Sequence, residues 1–281
     1  MNEAARYQTF QTSDGCAIAY SLRAAPNPEA PRLVLIHSLA LDASIWDGVA
    51  SKLSDQASVL AYDCRGHGRS DRRAASFTAE LFARDLLELL DHVGWPTAAI
   101  AGCSMGGCVA QAFAGLYPAR AAALALIDTT AWYGDDAPKA WRERAAAARS
   151  KGLIGMVDFQ VTRWFSDTFR ATHPELVRAT AQVFLANDLD CYAASCELLG
   201  NADLRRYLAS LDIPVTVIVG EEDYATPVEA ARELHAAILG STLTILRGAR
   251  HLTPIECPDR IAWELLALLQ RIHPRQARAG L

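Results

Sequence analysis

The octapeptide AGCSMGGC at 101–108 holds Ser104 between Gly102 and Gly106, with Cys103 before it and Cys108 four residues after. Any of the three could attack a carbonyl, so their positions must separate them. The buried-strand pattern AAIAGC (98–103) runs straight into the helical pattern SMGGCVAQAFAGLYP (104–118), which puts Ser104 at the junction. A tight strand-to-helix turn strains its apex residue and aims that side chain at the helix N-terminus, where partial positive charge favours an anion. Glycines two before and two after leave room where side chains would collide. The plainer alternative is a glycine turn that only packs helix on sheet. Cys103 belongs to the end of the strand and should point away from Ser104. Cys108 lies one turn into the helix, and both read as small core hydrophobes.

Serine attacks only with a base to take its proton and an acid to hold that base. In a strand–GxSxG–helix setting these follow in the order serine, acid, histidine. VIVGEEDYATP (217–227) ends a strand and offers Glu221, Glu222 and Asp223. Asp223 is the choice, being furthest into the loop, with Glu222 as the fallback; Asp128, at the end of an earlier strand, is a further alternative. RGARHLTPIECP (247–258) follows the next strand and supplies His251. A tetrahedral intermediate also needs amide donors. These are expected from Met105, after the nucleophile, and from Leu39 in the loop IHSLALD (36–42).

The rest of the chain must position these groups. Length 281 suits one large α/β domain with an insertion, and 51% hydrophobic residues can fill its core. Short apolar runs at 32–37, 58–63, 98–103, 121–128, 214–220 and 241–248 read as strands, and 16–24 as an antiparallel one. Helical periodicity falls between them at 44–53, 77–94, 104–118, 227–239 and 258–272, so a mostly parallel sheet covered on both faces is expected. Between Asp128 and Pro214 no buried strand is evident, whereas ordinary connections in such folds run about 2–6 residues. DDAPKAWRERAAAARSKG, HPELVRATAQVFLAND and DCYAASCELLG, the last ending at Gly200, read there as helices. The expected organisation is a core of residues 1–132 and 208–281 carrying a helical cap at 133–207; a separate domain is the alternative. HPRQARAGL at the C-terminus reads as a loose tail.

Composition removes several classes. A net charge of −5, with no long basic stretch, argues against nucleic-acid binding. No run approaches the roughly 18 apolar residues of a membrane span, and MNEAARYQTF lacks a signal-peptide pattern. Seven cysteines without CxxC spacing, Cys191 and Cys196 included, suggest reduced thiols, a cytoplasmic setting and no zinc site. Whether the chain forms a homo-oligomer stays open.

Together GCSMGG, YDCRGHGRSD, the acid of GEEDYATP and the histidine of ARHLTPIECP resemble the α/β-hydrolase superfamily over nearly the whole chain. IHSLALDASIWD, IDTTAWYG and CYAASCELLGNADLRRYLASLDIPVTVIVGEEDYATP are similar to the 3-oxoadipate enol-lactonases within it. The resemblance implies an α/β-hydrolase fold, a triad of Ser104, Asp223 and His251, and hydrolysis of an enol-lactone in aromatic catabolism, the β-ketoadipate pathway. It also makes Asp63–Gly68 a supporting turn rather than a metal site. The loop His37-Ser38-Leu39-Ala40 departs from the Asn-Ser-Leu-Gly expected in that group. The chemistry needs no metal or organic cofactor; the partner is a small-molecule ester or lactone. Among Trp46, Trp132, Tyr133, Trp164 and Phe165, Trp132 is favoured for substrate contact because it leads into the cap. An anionic lactone would want an arginine, and Arg142, Arg144 and Arg163 are candidates. A general carboxylesterase, a carbon–carbon bond hydrolase of ring-cleavage products and a small-molecule receptor on the same fold are the rival readings.

Overall fold

A computed structural model describes residues 7–73 and 76–272. Eight strands, β1 (Gln8–Gln11), β2 (Ala17–Arg23), β3 (Arg32–Ile36), β4 (Ser58–Tyr62), β5 (Ala98–Cys103), β6 (Ala121–Ile127), β7 (Val215–Gly220) and β8 (Thr242–Leu246), form one sheet in the order β1-β2-β4-β3-β5-β6-β7-β8. The β1/β2 and β2/β4 pairs are antiparallel, and every later pair is parallel. The central strands are continuous apolar runs because helices cover both their faces. Each large aliphatic side chain so buried contributes about 1.5–3 kcal/mol.

Twelve α-helices are described: α1 (Asp47–Leu53), α2 (Ala79–His92), α3 (Met105–Leu116), α4 (Ala137–Lys151), α5 (Val157–Trp164), α6 (Asp167–Thr172), α7 (Pro174–Leu185), α8 (Leu189–Asn201), α9 (Arg205–Leu208), α10 (Val228–Ala237), α11 (Thr253–Glu256) and α12 (Pro258–Gln270). Helix α1 packs on α12, and α2 on α3, giving the sheet its helical layers. Thr78 caps α2 by accepting from the Leu81 amide, and the chain leaves that helix through Gly94 at φ 70°.

The register places the strand ends along one edge of the sheet. Ile36 lies beside Gly102, Cys103 beside Ile127, Ile127 beside Ile218, and Gly220 beside Leu246. The loops after β3, β5, β6, β7 and β8 therefore open on the same side, where ligands of open α/β sheets bind.

From β6 to β7 the chain runs through α4–α9 with no named strand among the described residues. The two ends of this excursion meet: Trp132 and Asp203 form a β-bridge, and the Leu204 amide donates to the Ala131 carbonyl at 2.9 Å. Helices α4 and α8 are packed face to face. Helix α8 continues through Gly200 to Asn201 rather than stopping at the glycine. Gly200 serves packing instead, because a Cβ there would lie 3.1 Å from that of Trp141. The short elements β1, α5, α6, α9 and α11 are findings of the structure. The C-terminal HPRQARAGL falls outside the described residues.

Candidate active site

Ser104 sits between β5 and α3 with φ 54° and ψ −114°, a left-handed conformation costly for a residue with a Cβ. It is held there by its amide, which donates to the Ile127 carbonyl at 2.9 Å, and by its carbonyl, which accepts from the Thr129 hydroxyl at 2.7 Å. The flanking glycines are required by close approach. A Cβ on Gly102 would strike the Gly106 carbonyl, and one on Gly106 would strike the Ile36 carbonyl.

His251 reaches Ser104 from the loop after β8: its Nε2 lies 2.9 Å from the Ser104 Oγ, and its Nδ1 lies 2.7 Å from the Asp223 Oδ2. All three side chains are buried. Burial opposes a charge on Asp223, but the His251 imidazole and the Thr226 hydrogen bonds outweigh it and hold the carboxyl below its usual range. An ionised Asp223 can only accept, so the proton of a neutral His251 sits on Nδ1 and Nε2 faces the serine as acceptor. Asp223 Oδ1 accepts from the amides of Ala225 (2.7 Å) and Thr226 (3.1 Å), and Oδ2 from the Thr226 hydroxyl (2.9 Å). The Asp-x-x-Thr spacing ahead of Pro227 is the sequence signal for this turn, although Thr226 was not singled out by it.

The other acids are engaged elsewhere. Glu221 accepts from the Gly248 amide, and Glu222 pairs with Arg250 at 3.1 Å. Asp128 shares no hydrogen bond with the His251 ring. It accepts from the Gly220 amide (3.1 Å) and from the amide and hydroxyl of Thr253 (3.1 and 2.6 Å), so it ties the acid loop to the histidine loop. Burial, with Asp223 nearby, raises its carboxyl well above the usual range.

The cysteines are core residues. Cys103 is fully buried, and burial pushes its thiol far up; Cys108 packs on Thr129 and Thr130 with its thiol raised to about 11. At both, burial opposes the thiolate that a nucleophile requires.

Among the described residues, the amides of Leu39 and Met105 donate to no protein acceptor. Leu39 lines the same pocket as Ser104. Its loop rests on His37, whose Nδ1–H donates to the Ser38 carbonyl (2.8 Å) and whose Nε2 accepts from the Cys64 amide (2.9 Å). Burial lowers the His37 pKa, consistent with this neutral tautomer. Asp63 supports the loop from below, taking the Ala43 amide at 2.8 Å. Ala40, where glycine was expected, is at φ 57°.

The pocket wall combines Tyr133, Trp141, Arg144, Arg163 and Trp164 with the strand-end loops. Two expectations are corrected. Trp132 is not in the wall: it forms the bridge to Asp203, and its ring lies under Arg205 at 3.9 Å. Arg142 is exposed, because on α4 the pocket-facing positions are Trp141 and Arg144, three apart, and helical geometry turns position 142 about 100° from the first and about 160° from the second. Trp141 was missed, though its spacing from Arg144 was a usable signal. Arg144 donates to the Tyr192 hydroxyl and to Gln160, each at 2.9 Å. Arg163 donates to no described residue, and neither arginine has a carboxylate partner among them. Burial and the neighbouring Arg144 charge lower the Arg163 pKa.

A sheet of this order, with a serine elbow at β5 and a histidine after β8, defines a hydrolase fold. The family model described as the alpha/beta hydrolase fold matches residues 31–258, and the chain belongs to that family. It is 32% identical over 243 residues to 3-oxoadipate enol-lactonase 2 of Acinetobacter baylyi, covering 86% of this chain and 90% of that one. The crystal structure of the enol-lactonase from Burkholderia xenovorans LB400 superposes with a TM-score of 0.89 at 32% identity, covering 94% of this chain and all of the other. A malate-bound thermophilic esterase from Thermogutta terrifontis superposes with a TM-score of 0.88 at 28% identity over 96% of this chain and all of that one. No described helix is long and apolar enough to cross a membrane.

Proposed function

We propose that the protein is a serine hydrolase of carboxylate-bearing esters or lactones, acting through an acyl-enzyme, with 3-oxoadipate enol-lactone as its substrate and residues 133–207 as its cap. The observation that carries this reading is the unbroken contact from Ser104 Oγ through His251 to Asp223. His251 Nε2 takes the hydroxyl proton as Ser104 attacks the carbonyl, and Asp223 stabilises the imidazolium that forms. The oxyanion is received by the free amides of Leu39 and Met105. His251 returns the proton to the leaving enol, which ketonises and, because a lactone is cyclic, stays tethered to the acyl chain. Water activated by His251 then attacks the acyl-enzyme and releases the acid with Ser104 restored.

Arg163 and Arg144 support the carboxylated class. Two guanidiniums beside a nucleophile, unmatched by any described carboxylate, leave positive charge for the substrate to neutralise. The enol-lactonase relatives support the lactone. The esterase likeness keeps simple esters as the second reading.

The test is a kcat/KM comparison among 3-oxoadipate enol-lactone, p-nitrophenyl acetate and a dienoate diketone, with the Ser104→Ala variant alongside. Ser104→Ala is expected to lose on the order of 10⁶-fold in kcat while keeping its circular-dichroism spectrum and Tm. A fluorophosphonate should label Ser104 and no cysteine. Near-normal turnover by Ser104→Ala would end the proposal, and a preference for the acetate would select the esterase reading.

A further inference from the structure

Arg250 precedes His251, and its side chain is partly buried, 14% exposed. Its Nη1 donates to two main-chain carbonyls of the cap, Thr162 at 2.8 Å and Phe165 at 3.0 Å. Its Nη2 donates to Asp167 at 3.3 Å and to Glu222 at 3.1 Å. Beside it, the amides of His251 and Leu252 both donate to the Trp164 carbonyl, at 3.1 and 3.0 Å. Glu256 accepts from the Ser166 amide at 2.6 Å and from the Arg250 amide.

Helix α5 ends at Trp164, and the last carbonyls of a helix have no partner within it. Those of Thr162, Trp164 and Phe165 are satisfied by a segment some 85 residues further along the chain. The end of α5 is thus completed only by docking on the histidine loop. The residues bracketed by these bonds, Arg163 and Trp164, are the two by which α5 enters the pocket wall. The other end of the same guanidinium holds Glu222, the neighbour of Asp223. A planar fork serves two carbonyls and two carboxylates at once, which a lysine ammonium does not.

We propose that Arg250 is a positioning residue that registers the cap to the acid–histidine pair, and so sets the enzyme's preference for carboxylated substrates by fixing where Arg163 stands relative to Ser104. The fastening is independent of the function proposed above; the substrate preference rests on it.

Arg250→Met keeps the aliphatic stem and removes the fork. Hydrogen exchange should rise together in peptides covering 157–167 and 250–256, with the β5 peptide unchanged. In kinetics, kcat/KM for 3-oxoadipate enol-lactone should fall about 100-fold, mostly in KM, since displacements of about 1 Å cost that much. The loss for p-nitrophenyl acetate should stay under about tenfold, because that ester does not call on Arg163. In an Arg163→Met background, Arg250→Met should cost the lactone no more than it costs the acetate. Arg250→Lys should restore the charge and not the preference. Unchanged exchange, equal losses for the two substrates, a full effect persisting without Arg163, or rescue by lysine would each overturn the inference. If the unaltered enzyme hydrolyses neither substrate, the proposed function fails, and coupled exchange in the two peptides would still support the fastening.

Discussion

The serine elbow and the helices α4 and α5 face each other across one pocket and are built under opposite constraints. At the elbow, backbone meets backbone: the Gly102 and Gly106 positions abut main-chain carbonyls, and Ser104 itself is held at positive φ. No side chain can be added there without moving the sheet. Where α4 and α5 line the pocket, side chains supply the wall. Trp141 and Arg144 come from α4, and Arg163 and Trp164 from α5, whose last carbonyls are the main-chain groups that meet the histidine loop. Under the proposed function the difference separates two tasks: rigid backbone would set the reaction, and replaceable side chains what is admitted to it.

That separation can be tested from its largest expected effect downward. Asp223→Asn should lower kcat on every substrate by about 10⁴-fold, as when the acid of such a triad loses its charge. An effect confined to one substrate would blur the division. Arg163→Met should lower kcat/KM for the carboxylated lactone about 10- to 100-fold, the worth of a charge-assisted hydrogen bond, and leave p-nitrophenyl acetate within about threefold. Equal losses would show that Arg163 serves the chemistry itself.

Two glycines compare the regions in stability. Gly102→Ala should destabilise by about 3 kcal/mol or more in urea melts, because its Cβ has backbone in its way. Gly200→Ala, inside α8, would bring its Cβ to 3.1 Å from the Trp141 Cβ and 3.3 Å from the Ala137 carbonyl, approaches that a small shift between α4 and α8 relieves, and it gains helix propensity, so a net change below about 1 kcal/mol is expected. An effect of opposite sign is expected at Ala40: glycine there should raise stability by less than about 1 kcal/mol, because φ 57° penalises a Cβ. A loss of stability in Ala40→Gly would mean that the loop does not carry that strain.

How far the sequence could be read depended on how local each signal was. The β5–Ser104–α3 unit was legible because a buried run, a Gly-x-Ser-x-Gly turn and a helical period lie within about twenty consecutive residues. Strand β1 was not, since only Phe10 of its four residues is buried and it joins the sheet through one antiparallel neighbour. Three adjacent acids, Glu221, Glu222 and Asp223, look alike in sequence, yet they bond Gly248, Arg250 and His251 respectively. Trp132 was favoured for its place at the cap entrance, and that same place commits it to the bridge with Asp203.

The sequence by itself determined the layered α/β architecture, the position of the strained serine and the chain order of its partners, because periodicity and glycine spacing act over a few neighbouring residues. Only the tertiary structure decided which acid meets His251, that Arg144 and Arg163 rather than Arg142 turn toward the serine, and that Arg250 completes the end of α5. Those outcomes depend on where a side chain points once segments far apart in the chain have packed, and short-range pattern carries no record of that.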